Sequence, residues 1–253
     1  MSAASSVNGT PPEPLGARAG RPSIPLAVAG VPHGAPRIGG LVPYSSVDWP
    51  DMLAAVVFIA GCPWRCSYCH NPHLQSRAGR YAWNDVLGFL RGRQGLLDAV
   101  VFSGGEPLAE PRLPDMVRAV QAMGFRVALH TAGIYPARLR ALLPRLDWVG
   151  LDIKTDAAGY DALVGRSNSH ATTQACLDAL LAGAVEFECR TTWSPEWLGE
   201  PELLALARAL AARGVRQYAV QNHRATPDAP PTARLSAAAL GELEALFPCF
   251  SYR

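Results

Sequence analysis

The sequence predicts an α/β fold: a partial (β/α)6 TIM-like barrel with parallel strands. Three observations predict it. From residue 38 onward, apolar runs of strand length alternate with helical patterns. Several of those runs are near-continuous, as expected when both faces of a strand are covered. The links between them are short, which favours parallel strands joined by right-handed crossovers. A doubly wound open sheet shares this local pattern. It loses support because no Gly-rich fingerprint follows the first strand.

The first strand is MLAAVVFIAG (Met52–Gly61), an apolar run ending in glycine. A helical pattern follows at Trp83–Arg93, then a second strand, AVVFSGG (Ala99–Gly105). Pro111 opens a helix that runs to Met123, with Gly124 as its stop. FRVALHTAG (Phe125–Gly133) is the third strand, with a helix at Ala137–Leu143 behind it. DWVGLDIKT (Asp147–Thr155) is the fourth, followed by a helix at Thr172–Gly183. VEFECRTTW (Val185–Trp193) is the fifth, with its helix at Pro201–Gly214. The sixth unit pairs strand Val215–Arg224 with a helix over Leu235–Phe247.

Composition bounds what such a chain does. Hydrophobic residues make up 49% of the 253 and charged residues 17%, enough apolar content for a substantial core without disulfides. A net charge of +2, from 23 basic and 21 acidic residues, argues against a broad electrostatic nucleic-acid binder. No apolar run reaches the length of a membrane span, which excludes an integral membrane protein. Residues 1–37 are rich in Pro, Gly, Ala and Ser and read as a flexible N-terminal tail, leaving 38–253 as one barrel domain. No secretory signal is visible, so a cytoplasmic location is expected.

In a β/α barrel the chemistry sits at the C-terminal strand ends. Every predicted strand here ends in polar or unusual residues. In order they are GCPWRCSYCHNP (Gly61–Pro72), SGGEP (Ser103–Pro107), HTAG (His130–Gly133), DIK (Asp152–Lys154), RTT (Arg190–Thr192) and QNHR (Gln221–Arg224). Parallel strands would bring all of them to one rim. Cys62, Cys66 and Cys69 form CxxxCxxC on the loop leaving the first strand. Thiolates are soft ligands suited to zinc or iron–sulfur centres. Three of them fall one short of a closed site, so a cluster held here keeps one iron open. A zinc site with His70 or His73 as fourth ligand is the alternative. Cys176, Cys189 and Cys249 read as core or incidental residues.

CPWRCSYC, with Tyr68 just before the third cysteine, resembles the signature of the radical S-adenosylmethionine (SAM) superfamily. SGGEP resembles that family's GGE segment. The run from Gly39 to Pro72, with the later DWVGLDIK and ECRTT, is similar to glycyl-radical activating enzymes, in particular those of anaerobic ribonucleoside-triphosphate reductase. The likeness covers about residues 37–224.

The resemblance implies a 4Fe–4S cluster on Cys62, Cys66 and Cys69, with SAM chelated at the open iron. Tyr68 would lie beside the adenine. Gly104 and Gly105 would let the backbone approach the cofactor, and Glu106 would accept from its ammonium. Asp152 and Lys154 would contact the ribose hydroxyls and the carboxylate, Arg190 the carboxylate, and Thr131 the cofactor more generally. His223 would lie near the adenine or ribose. His130 stands where an aspartate is expected in some activating enzymes, which puts a cation site there in doubt. The implied reaction makes a 5′-deoxyadenosyl radical that removes a hydrogen from a glycine of a partner enzyme. A flavodoxin or ferredoxin-type donor would supply the electron. Two alternatives stand: a radical SAM enzyme acting on a small molecule, and a non-catalytic metal-binding protein.

Overall fold

The computed structural model describes residues 35–226 and 229–253. The expected tail lies outside the described residues up to residue 34. At its end Pro36 is buried, and the Arg37 carbonyl accepts from Ala60 N at 2.7 Å, so the folded part begins slightly before residue 38.

The chain starts with strand β1 (Ile38–Ser45), antiparallel to β2 (Ala54–Ile59). Helix α1 (Trp83–Arg91) leads to β3 (Ala99–Gly104), and α2 (Leu113–Gln121) to β4 (Arg126–Thr131). Then come α3 (Pro136–Leu142), β5 (Trp148–Asp152), α4 (Tyr160–Val164), α5 (Ser169–Leu181) and β6 (Glu186–Trp193). The chain finishes with α6 (Glu200–Ala212), β7 (Gln217–Asn222), α7 (Ala237–Leu246) and β8 (Cys249–Tyr252). All eight strands form one sheet in sequence order, and every pair from β2 to β8 is parallel.

The partial parallel barrel is therefore present, with a seventh parallel strand and an antiparallel leader beyond the six expected units. β1 carries Gly39, Gly40 and Pro43, residues that count against a strand in sequence. An edge position tolerates them, because one side of β1 needs no ladder. β8 is only four residues long and gives no period to read. Cys249 opens it and is exposed rather than part of the core, whereas Cys176 and Cys189 are buried.

Period-2 alternation divides the sheet's side chains. Phe102, Leu129, Leu151 and Tyr218 face the helices and are fully buried; each contributes about 1.5–3 kcal/mol by burial. The inner face is lined by Ala54, Val56, Ala99, Val101 and Ala128. These small side chains leave room for Trp49, which enters from the β1–β2 link and stacks on Trp148 with ring centroids 6.0 Å apart. That pair fills the N-terminal end of the barrel and leaves a cavity at the other end.

Candidate functional site

The loop after β2 is held in place before any cofactor is considered. Gly61 N donates to Leu74 O at 2.7 Å and Cys62 N to Gln75 O at 3.1 Å. Farther along, Arg65 N and Ser67 N donate to Val164 O and Leu163 O of α4. The Arg65 guanidinium folds back onto the carbonyls of Cys62 and Trp64, at 2.6 and 2.8 Å. Trp64 is buried edge-on against Tyr160, at 6.0 Å. Cys62, Cys66 and Cys69 are each partly buried, and all three line one cavity of about 320 Å³. Burial pushes the Cys62 thiol up to about 11 and raises that of Cys66, so binding a metal there must release protons. Among the described residues, no three His, Cys, Asp or Glu side chains converge on a single-ion position. The three thiols line the same cavity.

The GGE segment packs directly against that loop. Gly104 has φ +125°, and a Cβ there would sit 2.3 Å from Ile59 O. At Gly105 a Cβ would lie 2.6 Å from Gly61 O and 2.8 Å from Leu74 O. Neither position admits a side chain, and both glycines line the cavity. Glu106 also has a role within the fold. It is fully buried, and its carboxylate accepts from Leu108 N at 3.0 Å, Thr131 Oγ1 at 2.8 Å and Ala132 N at 3.0 Å. It ties the end of β3 to the end of β4, with two donors on Oε1 and one on Oε2. Burial, opposed by those three donors, raises it from 4.5 to about 7. Thr131 lines the cavity, and its hydroxyl also accepts from Gly133 N at 3.0 Å.

Asp152, Lys154 and Arg190 line the same cavity. Lys154 Nζ lies 2.9 Å from Asp152 Oδ2, while Arg190 Nε and Nη2 reach Asp152 Oδ1 at 3.1 and 2.9 Å. These side chains are only 13%, 30% and 9% exposed for Lys154, Asp152 and Arg190, so this is no solvated surface pair. The two cations hold Asp152 well below the carboxylate range, against the opposing effect of burial. Two positive charges share one negative charge, which suits the trio to an added carboxylate.

Tyr68 lies between this cavity and a neighbouring groove, stacked on Trp197 at 4.8 Å. His223 faces the groove; it stacks on His70 at 5.4 Å, and its buried Nδ1 has no hydrogen-bond partner among the described residues. His130 lines the cavity and bonds through Nε2 to Asp48 O at 2.7 Å. Burial and the Arg190 charge hold it well below the ordinary histidine value, so it is neutral. A carbonyl partner requires Nε2 to carry the proton, leaving Nδ1 as an acceptor. The sequence reading missed Trp197, a loop residue that belongs to no periodic pattern, and Asp48, whose contribution is a backbone carbonyl.

The fold and the site together define a barrel enzyme with its chemistry at the C-terminal strand ends, built around a cavity lined by three thiols and two cations. The Radical SAM superfamily pattern matches residues 56–189, and the chain belongs to that superfamily. A protein of Methanocaldococcus jannaschii named as a glycyl-radical enzyme activating enzyme is 30% identical over 196 residues, covering 73% of this chain and 78% of that one. The pyruvate formate-lyase-activating enzyme of Clostridium pasteurianum is 36% identical over 138 residues, 51% of this chain and 58% of that one. Among solved structures, methylornithine synthase superposes with a TM-score of 0.60 at 13% identity, over 78% of this chain and 63% of that one, a likeness of fold alone. Enzymes of this superfamily use a 4Fe–4S cluster and SAM, and a cavity lined by three thiols and two cations fits both. No helix among the described residues is long and apolar enough to cross a membrane.

Proposed function

We propose that this chain reductively cleaves SAM and places a radical on a glycine of a partner enzyme, an anaerobic ribonucleoside-triphosphate reductase. The observation that carries this reading is that Cys62, Cys66 and Cys69 line one cavity together with Asp152, Lys154 and Arg190. In it the three cysteines hold the cluster. When bound, the cluster and SAM supply one-electron cleavage of the sulfonium C–S bond and hydrogen abstraction from a substrate carbon.

The chain's own residues bind and orient. Arg190 and Lys154 receive the cofactor carboxylate, and Asp152 keeps both cations aimed. Gly104 and Gly105 admit close backbone approach, Thr131 lines the same cavity, and Tyr68 presents an aromatic edge for the adenine. His223 supports Tyr68 from the groove side, at 6.3 Å between rings. The cavity, about 320 Å³, is at the lower end of the ~300–1,000 Å³ that one drug-sized ligand occupies. A second substrate must then be presented at the mouth, as a glycine on a protein loop can be. A flavodoxin or ferredoxin-type protein supplies the electron, and the setting is the cytoplasm.

The test is radical transfer. The anaerobically reconstituted protein is reduced, mixed with SAM and a candidate reductase, and followed by electron paramagnetic resonance and by 5′-deoxyadenosine release. A glycine-centred signal is expected. 5′-Deoxyadenosine with no such signal on any glycyl-radical partner would favour a small-molecule substrate, and no 5′-deoxyadenosine would remove the enzymatic reading.

A further inference from the structure

Gly150 has no conformational reason to be glycine. It lies inside β5, in register with His130 on β4 and Glu188 on β6, and its φ is outside the left-handed region. Glycine within a strand gives up packing and often marks a place where another group comes close. Here that group is Arg190. A Cβ on residue 150 would lie 2.7 Å from Arg190 Cζ, 2.9 Å from Nη1 and 3.0 Å from Nη2. Near-equal distances to the carbon and two nitrogens mean that the guanidinium lies face-down on the β5 backbone.

Little else fixes that orientation. Nε and Nη2 both donate to Asp152 Oδ1, and Nη1 makes no hydrogen bond among the described residues. Glu188, next to Arg190 on the same face, is occupied by Arg253. His130, on the other side, is engaged with Asp48. We propose that Gly150 is a positioning residue: its bare backbone is the floor on which the Arg190 guanidinium lies flat, clamped by Asp152, with Nη1 left for the carboxylate of SAM. The inference rests on the reading of Arg190 as a SAM contact. Any side chain at residue 150 lifts the guanidinium off β5 and breaks its hold on Asp152. The colliding atoms are the far end of a flexible side chain, so the strand itself survives the substitution.

The experiment compares Gly150→Ala, Arg190→Ala and the double variant in the reconstituted full chain, reading SAM affinity, iron content and melting temperature. Gly150→Ala should retain its iron and weaken SAM binding about 10- to 100-fold, the loss of charge-assisted hydrogen bonds. Arg190→Ala should weaken it similarly, and the double variant no further, because both changes act through one group. Should Gly150→Ala also lower the melting temperature, the Arg190→Ala background decides, since its effect on binding must vanish once the guanidinium is gone. Wild-type affinity in Gly150→Ala alongside weakened Arg190→Ala overturns the role of Gly150 alone. An added loss in the double variant also overturns it. Wild-type affinity in Arg190→Ala overturns the site assignment and this inference with it.

Discussion

Glu106 is a buried carboxylate with three hydrogen-bond donors and, among the described residues, no salt-bridge partner. Glu106→Gln places an amide N–H against at least one of those donors, and an unsatisfied buried group costs about 1–3 kcal/mol. Reduced thermal stability of the variant is the expected outcome. The pH dependence has a definite sign. With its pKa raised from 4.5 to about 7, the folded chain binds this proton more tightly than the unfolded one. Its contribution is therefore fully present below about pH 4.5 and lost as pH rises through about 7. His130, shifted the opposite way, contributes with the opposite sign, so the clean quantity is a difference. The stability gap between wild type and Glu106→Gln should shrink from pH 5 to 8 in thermal melts; a gap that widens contradicts the assignment. Sequence reasoning picked out Glu106 but not its hydrogen bonds between the ends of β3 and β4, because a motif fixes which residue is present and not which way it turns. Gly150 carried no sequence signal at all, since a glycine in DWVGLDIK looks like ordinary strand composition until Arg190 is seen above it.

Two contacts between elements matter most for the site. The end of β3 lies so close to the cysteine loop that Gly105→Ala drives a Cβ against two backbone carbonyls, neither of which can rotate away. Separation of the two segments is expected, with loss of iron loading measured by metal analysis; full loading would show that the loop adapts. At the opposite end, Trp49 anchors the β1–β2 link in the barrel. Trp49→Ala should cost about 3–5 kcal/mol, read by denaturant unfolding, because the small inner-face side chains around it cannot close the void. The helices and apolar strands were legible in the sequence from their periods. β1 was not, since its glycines and proline suit only an edge. Neither was the short helix α4, whose role is to hold the cysteine loop through Val164 O and Leu163 O.

Over the whole molecule, the agreement of the strand ends was the most informative sequence feature. Six polar segments scattered over some 160 residues have no reason to cluster unless parallel strands carry them to one end, as they do here. Their arrangement within the cavity depended on side-chain packing that no spacing encodes: the Asp152 hub, the Tyr68–Trp197 stack, the neutral His130. The central claim is that the three cysteines hold a SAM-cleaving cluster. Its most direct measurement is 5′-deoxyadenosine formed by the reduced, anaerobically reconstituted protein, compared with Cys66→Ala. Release from the wild type and none from the variant is the predicted result. Equal release from both, or a wild-type protein that binds zinc and no iron, would contradict the account.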